Sequence, residues 1–105
     1  MKSDILFRAF AEPVRRRALR LLSRRALCVC DLTEAMRLPQ PTVSRHLGAL
    51  QRAGLVTVQR RGKWRHYELA KRADKVGKAL LACLASEPGD IGDMKRLEAQ
   101  PRRTC

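Results

Sequence analysis

A mainly α-helical fold with one small β-hairpin is predicted by two features of this chain. Apolar residues recur at three- and four-residue spacing through most of its length, and the period switches to two just after Gly54. At 105 residues the chain is one domain's worth, and so small a core often leans on a second subunit. The first two helices are carried by Ile5, Leu6, Ala9 and Phe10, then by Val14, Ala18, Leu21 and Leu22. They part at Glu12-Pro13, because proline suits a first helical position. The second helix carries Arg15, Arg16, Arg17, Arg20 and Arg24 off its apolar stripe, which reads as a solvated face.

A short helix over Val29–Met36 comes next, then "RLPQP", then a longer helix over Pro41–Ala53 closed by Gly54. Val43, Leu47 and Leu50 of the longer helix face inward together. The runs "LVTVQR" and "WRHYEL", joined by "RGK", form the hairpin, with Gly62 in its turn. A final helix over Ala73–Ser86 places Val76, Leu80, Cys83 and Leu84 on one stripe. Residues 1–86 are thus one domain, and residues 87–105 read as a polar C-terminal tail, in part disordered.

Twenty-three Lys and Arg against ten Asp and Glu give a formal charge of +13. Such an excess calls for a polyanionic partner. No apolar run approaches a membrane span, and the N-terminus lacks the apolar core of a signal peptide, so a cytoplasmic protein with no membrane partner is expected. In that reducing compartment the four cysteines, Cys28, Cys30, Cys83 and Cys105, stay as thiols. Between Ala35 and Tyr67 lie seven basic residues and no acidic one. Two short helices, a third backed by apolar residues and a basic hairpin then make a winged helix-turn-helix, whose partner is double-stranded DNA.

The N-terminal end of the third helix offers Gln40, Thr42, Ser44 and Arg45 to base edges and phosphates. His46, near the inner flank, either joins them or is a half-buried histidine bonded within the protein. Arg61 and Lys63 flank Gly62 at the hairpin tip and suit phosphate or minor-groove contact. Trp64 and Tyr67 read as anchors of the wing to the core. No catalytic Ser/His/Asp or Cys/His set and no phosphate-cradling glycine loop is evident, so no enzyme is expected.

Together "LCVCDLTEAM", "LPQPTVSRHLGALQRAGLV" and "RRGKWRHYEL" closely resemble the ArsR/SmtB family of metalloregulatory repressors, and within it the arsenic and antimony sensors. The resemblance covers residues 5 to 86 and implies a homodimer built on the first and last helices, with Leu6, Phe10, Val76, Leu80, Cys83 and Leu84 as interface residues. It implies release from operator DNA when trivalent arsenic or antimony (arsenite, antimonite or methylarsenite) binds, with no organic cofactor. The family's arsenite motif is Cys-x-Cys-x-x-Cys. Cys28 and Cys30 match its first two thiols, while Thr33 stands at the third, and a hydroxyl is a poor ligand for a thiophilic centre. Cys105, Cys83, or an external thiol or solvent atom remains for that place. A zinc site on the last helix is disfavoured, since Ala73–Ser86 has no His and only Asp74 as an acid.

Residues two apart on a helix point to nearly opposite sides, so chelation by Cys28 and Cys30 must distort the start of their helix. A helix N-terminus also favours thiolate there. Two other readings keep the DNA-binding fold. In one the thiols sense oxidants or persulfides, and in the other the protein is a constitutive architectural DNA-binder with incidental thiols.

Overall fold

The computed structural model describes residues 2–84, 89 and 91–100. Helices α1 (Lys2–Ala11) and α2 (Pro13–Leu22) meet at Glu12. The Glu12 carboxylate accepts from the Val14 amide at 3.0 Å and caps α2, with Pro13 in its first turn. Arg16 holds the corner by donating through Nη1 to the carbonyls of Phe10 and Ala11, at 2.8 Å each, which would otherwise be orphaned at the end of α1.

Strand β1 (Leu27–Cys28) leads directly into α3 (Val29–Met36), and α4 (Gln40–Arg52) follows. Arg37 turns the chain between the two helices in the left-handed conformation, with φ of 54° and its amide bonded to the Thr33 carbonyl at 2.9 Å. Strands β2 (Val56–Arg61) and β3 (Trp64–Leu69) form the hairpin, closed at the Arg61 and Trp64 pair by Gly62 with φ of 63°. The sheet is antiparallel, in the order β1-β3-β2. The two-residue β1 was not foreseen, being too short to show alternation. It sets Leu27 opposite Tyr67 and Cys28 opposite His66.

Helix α5 (Lys75–Cys83) begins after Asp74, whose carboxylate accepts from the Gly77 amide at 2.9 Å. It starts two residues later than the apolar stripe suggested, and the expected end at Ser86 lies outside the described residues. Helix α6 (Ile91–Ala99) corrects the expected polar tail. Its Leu97 is fully buried, its Asp93 is nearly so, and the helix lies along α3. The core joins Leu19 and Leu21 of α2, Leu27, Leu32 and Met36, Val43, Leu47 and Leu50 of α4, Leu55, Val56 and Leu97. Among the described residues no helix is long and apolar enough to cross a membrane.

Two residues expected at a dimer interface are instead core residues of the protomer. Leu6 and Leu84 are buried within it, and Phe10, Val76 and Leu80 pack partly against the same core. Their stripes are as apolar as an interface would be, and spacing alone cannot distinguish an internal neighbour from an external one. Ile5 and Phe7 of α1, at 52% and 55% exposure, and Cys83 of α5 are exposed, and the two helices pack on each other.

Gly54 ends α4 with φ of 80°, the Leu55 amide reaching back to the Leu50 carbonyl at 3.0 Å. A side chain in that left-handed position costs about 1–2 kcal/mol. Gly54→Ala is therefore expected to lower the thermal midpoint by about 4–8 °C per kcal/mol at fixed protein concentration, measured by circular dichroism.

Candidate nucleic-acid interface and thiol site

Helix α4 presents its N-terminal end to solvent. Gln40, Ser44 and Arg45 are exposed and Thr42 is partly so, while Val43, Leu47 and Leu50 hold the opposite face in the core. Arg61 and Lys63 stand exposed at the tip of the hairpin. Such a helix end, with a cationic hairpin on the same chain, can meet a duplex by groove and backbone together. Tyr67 anchors the hairpin to the core, as expected of it, but Trp64 does not. At 38% exposure Trp64 lies near the tip, paired in register with Arg61.

His46 has a partner inside the protein. Its Nδ1 accepts from Arg15 Nε at 3.2 Å, joining α4 to α2. Burial, then the Arg15 guanidinium, holds its pKa below the usual histidine value, Arg45 adding to the effect and Glu12 opposing it. The bonded half-buried form accounts for this residue. The arginine face of α2 is a correction of the same kind. Arg15 also donates to the Arg8 carbonyl at 3.3 Å, Arg16 closes α1, and Arg17 reaches Asp93 and the Met36 carbonyl. These partners lie on other elements, where helical spacing gives no sign of them.

The two thiols at the start of α3 lie in opposite environments. Cys28 is the residue before the helix, in extended conformation and only 2% exposed, and its Sγ donates to Asp31 Oδ2 at 3.2 Å. Cys30, in the first turn, is exposed. Thr33 offers no third ligand, because its hydroxyl donates to the Val29 carbonyl at 2.7 Å. Cys83 sits exposed on α5, which packs chiefly on α1, whereas α3 packs on α6, α4, α2, β1 and β3. The apolar stripe had suggested a small core residue for Cys83. Cys105 lies outside the described residues. Among the described residues no cluster of three or more His, Cys, Asp or Glu side chains is gathered to hold a metal ion. The soft donors available at α3 are thus two thiols, one buried and one open.

The surroundings of α3 connect this pair to the rest of the molecule. A cavity of about 200 Å³, lined in part by Arg25, Asp31, Gln59 and His66, separates its first turn from the hairpin. At the other end Arg17 Nη2 donates to the Met36 carbonyl at 2.8 Å and Arg96 Nε to the Ala35 carbonyl at 2.6 Å. Both guanidiniums also bind the buried Asp93 carboxylate, at 2.8 Å and 3.0 Å. The sequence reading missed this cluster, although an acid in the first turn and a base in the last turn of α6 were available as a helix signal.

The family described as bacterial regulatory protein, arsR family, matches residues 12–58, from the α2 cap into β2. The arsenic resistance transcriptional regulator ArsR1 of Pseudomonas putida is 44% identical over 66 residues, 62% of this chain and 52% of that protein. The arsenical resistance operon repressor of Bacillus subtilis is 39% identical over 75 residues, 65% of this chain and 71% of that protein. The solved structure of the transcriptional regulator HlyU from Vibrio vulnificus superposes with a TM-score of 0.68 at 33% identity, covering 81% of this chain and 85% of that one. The chain spans about half the length of several curated relatives that it matches.

The lowered pKa of His46 has a defined sign for stability. The unfolded chain binds a proton at this site at higher pH than the folded chain, so stability falls as pH drops through the unfolded value near 6.5 toward the lower folded one. His46→Gln is expected to flatten the stability curve over that acidic window, measured by urea unfolding at a series of pH values. An unchanged slope would show that His46 is not the group responsible.

Proposed function

This chain belongs to the arsR family of bacterial regulatory proteins, and from that premise we propose that it is a transcriptional repressor released from DNA by trivalent arsenic or antimony at Cys28 and Cys30. One observation carries the reading: a buried thiol just before and an exposed thiol within the first turn belong to a helix that packs directly on the helix presenting Gln40, Thr42, Ser44 and Arg45. The protein acts as a homodimer on an operator of dyad symmetry, with α1 and α5 forming the interface through the exposed Ile5, Phe7 and Cys83 beside Phe10, Val76 and Leu80.

The exposed Cys30 is the point of capture. Each thiol that binds arsenite forms one As–S bond, and the displaced hydroxide leaves as water with the thiol proton. Arsenic stays trivalent, so no oxidant or reductant is needed. Engaging the second thiol requires Cys28 to give up Asp31 and its buried place at the end of β1. Cys28 is the residue before α3 and lies opposite His66 of β3, so its movement reaches α4 through α3 and the hairpin through β3. Both DNA-contacting elements thereby lose their relative placement. A coupling of about 1–3 kcal/mol weakens DNA binding about 5- to 150-fold.

Fluorescence anisotropy on duplex DNA from the chain's own promoter region tests this reading. Arsenite is expected to release the wild type and to leave Cys28→Ser and Cys30→Ser bound. Persistent binding of the wild type at saturating arsenite, with release by peroxide or persulfide, would replace this reading with a redox sensor. Binding insensitive to every thiol reagent would mark an architectural protein.

Arg61→Ala with Lys63→Ala is expected to lower the slope of log affinity against log salt by about 2, if each cation meets one phosphate. An unchanged slope would place the hairpin tip off the duplex.

A further inference from the structure

Helix α6 has two working faces. Asp93, Arg96, Leu97 and, just past its end, Gln100 fall at helical spacing on one of them, and that face is spent within the protein. Arg96 holds the Ala35 carbonyl beside its bond to Asp93, Leu97 is buried in the core, and Gln100 Nε2 donates to the Asp31 carbonyl at 3.0 Å. Ile91, Met94, Lys95 and Glu98 repeat the same spacing on the opposite face. All four line a cavity of about 550 Å³, bounded also by Arg24, just past α2, and by Leu81 and Leu84 at the end of α5. Small-ligand sites span about 300–1,000 Å³, so this one is roomy enough for an organic molecule.

The wall of the cavity combines two chemistries. Ile91, Met94, Leu81 and Leu84 make it apolar, and Ile91, at 71% exposure, is the most open large apolar side chain among the described residues. Of the charged groups around them Arg20, Arg24 and Lys95 are basic and Glu98 alone is acidic. Arg24 and Lys95 are exposed and carry no ion pair among the described residues. Even with one of these two cations set against Glu98, a positive charge is left over beside the apolar floor. A duplex phosphate would meet the cations but leave that floor bare. A neutral apolar molecule would cover the floor but leave the cations unanswered.

We propose that the cavity between α2, α5 and α6 is a second small-molecule site, for an anion with an apolar body and a single carboxylate or sulfonate. Its acidic group lies between Arg24 and Lys95, and its body covers Ile91, Met94, Leu81 and Leu84. Seated there, the ligand ties the end of α2 to α6, the two helices whose Arg17 and Arg96 share Asp93 and hold the last carbonyls of α3. Occupancy therefore stiffens the hold on α3 from the side away from the thiols. The site is independent of the metalloid reading, because none of its residues belongs to α3 or carries a thiol.

The test uses the full chain and two fluorescent dyes of the same ring system, the anionic anilinonaphthalene sulfonate and the uncharged phenylnaphthylamine. The sulfonate is expected to bind one site per chain. Arg24→Gln with Lys95→Gln should weaken the sulfonate about fivefold or more and leave the neutral dye within about twofold. Ile91→Ser should weaken both dyes by about threefold or more, since each loses apolar contact. Arg61→Ala with Lys63→Ala removes the same amount of charge at the hairpin tip and should change neither. Hydrogen exchange of the α3 amides should slow about threefold or more with the sulfonate at saturation. Sulfonate binding that survives both cavity variants would overturn the site, and equal affinity of the two dyes would overturn its choice of an anion. Dye bound in the cavity with unchanged exchange in α3 would overturn the stiffening.

Discussion

An eight-residue helix is too short to be stable by itself, so the geometry of α3 depends on what grips its ends. At the C-terminal end the grip is polar. Arg17 from α2 and Arg96 from α6 share the buried Asp93 carboxylate, and each spends a further N–H on a terminal carbonyl of α3. The negative end of the helix dipole and its orphan carbonyls thereby meet two cations whose charge is partly offset by the one carboxylate they share. Removing one member of such a cluster leaves charge uncompensated, which fixes α3 more strictly than apolar packing alone. At the N-terminal end the grip is lighter: a two-residue strand, one thiol-to-carboxylate bond and the Gln100 amide.

This difference between the two ends bears on how a signal travels. A helix anchored at both ends with equal strength would resist displacement, and one loose at both would move without carrying its neighbours. With the C-terminal end held to α2 and α6 at the Ala35 and Met36 carbonyls, movement at the N-terminal end would become a tilt about that end. Leu32, Ala35 and Met36 are fully buried in the same core as Val43 and Leu47 of α4, so the recognition helix cannot ignore a tilt. Close-packed cores transmit such shifts because they have little free volume in which to absorb them.

The helix and hairpin of the winged helix-turn-helix were legible because each declares itself locally. Val43, Leu47 and Leu50 give α4 its spacing, Gly54 its stop and Gly62 the hairpin turn, and the structure differs from that reading by single residues at the boundaries. What the sequence concealed are partnerships over long separations. Arg17 meets Met36 nineteen residues on and Asp93 seventy-six on, and nothing in a row of arginines distinguishes those from solvated ones. Helix α6 hid for a related reason. Beside the buried Leu97 its contacts are largely polar, through Asp93, Arg96 and, just past its end, Gln100, so a search for apolar periodicity passes over it. Trp64 erred in the opposite direction: an aromatic in a small domain suggests an anchor, but the pleat gives that place to Tyr67 and turns Trp64 outward.

The pairing of a buried thiol with an exposed one has a thermodynamic consequence. A ligand shifts a conformational equilibrium only by the difference in its affinity for the two states. Were both thiols exposed and already close, ligation would occur equally well with α3 in either position and would carry no signal. Because Cys28 is buried and bonded to Asp31, the proposed ligation by both thiols would require the start of α3 to move. The strength of the new bonds then divides in two: part releases Cys28 from the core, and only the remainder appears as affinity. A sensor built this way binds its ligand less tightly than a preformed chelate of the same thiols would. On the proposed reading, that forfeited affinity is the free energy that would loosen α4 and the hairpin from DNA.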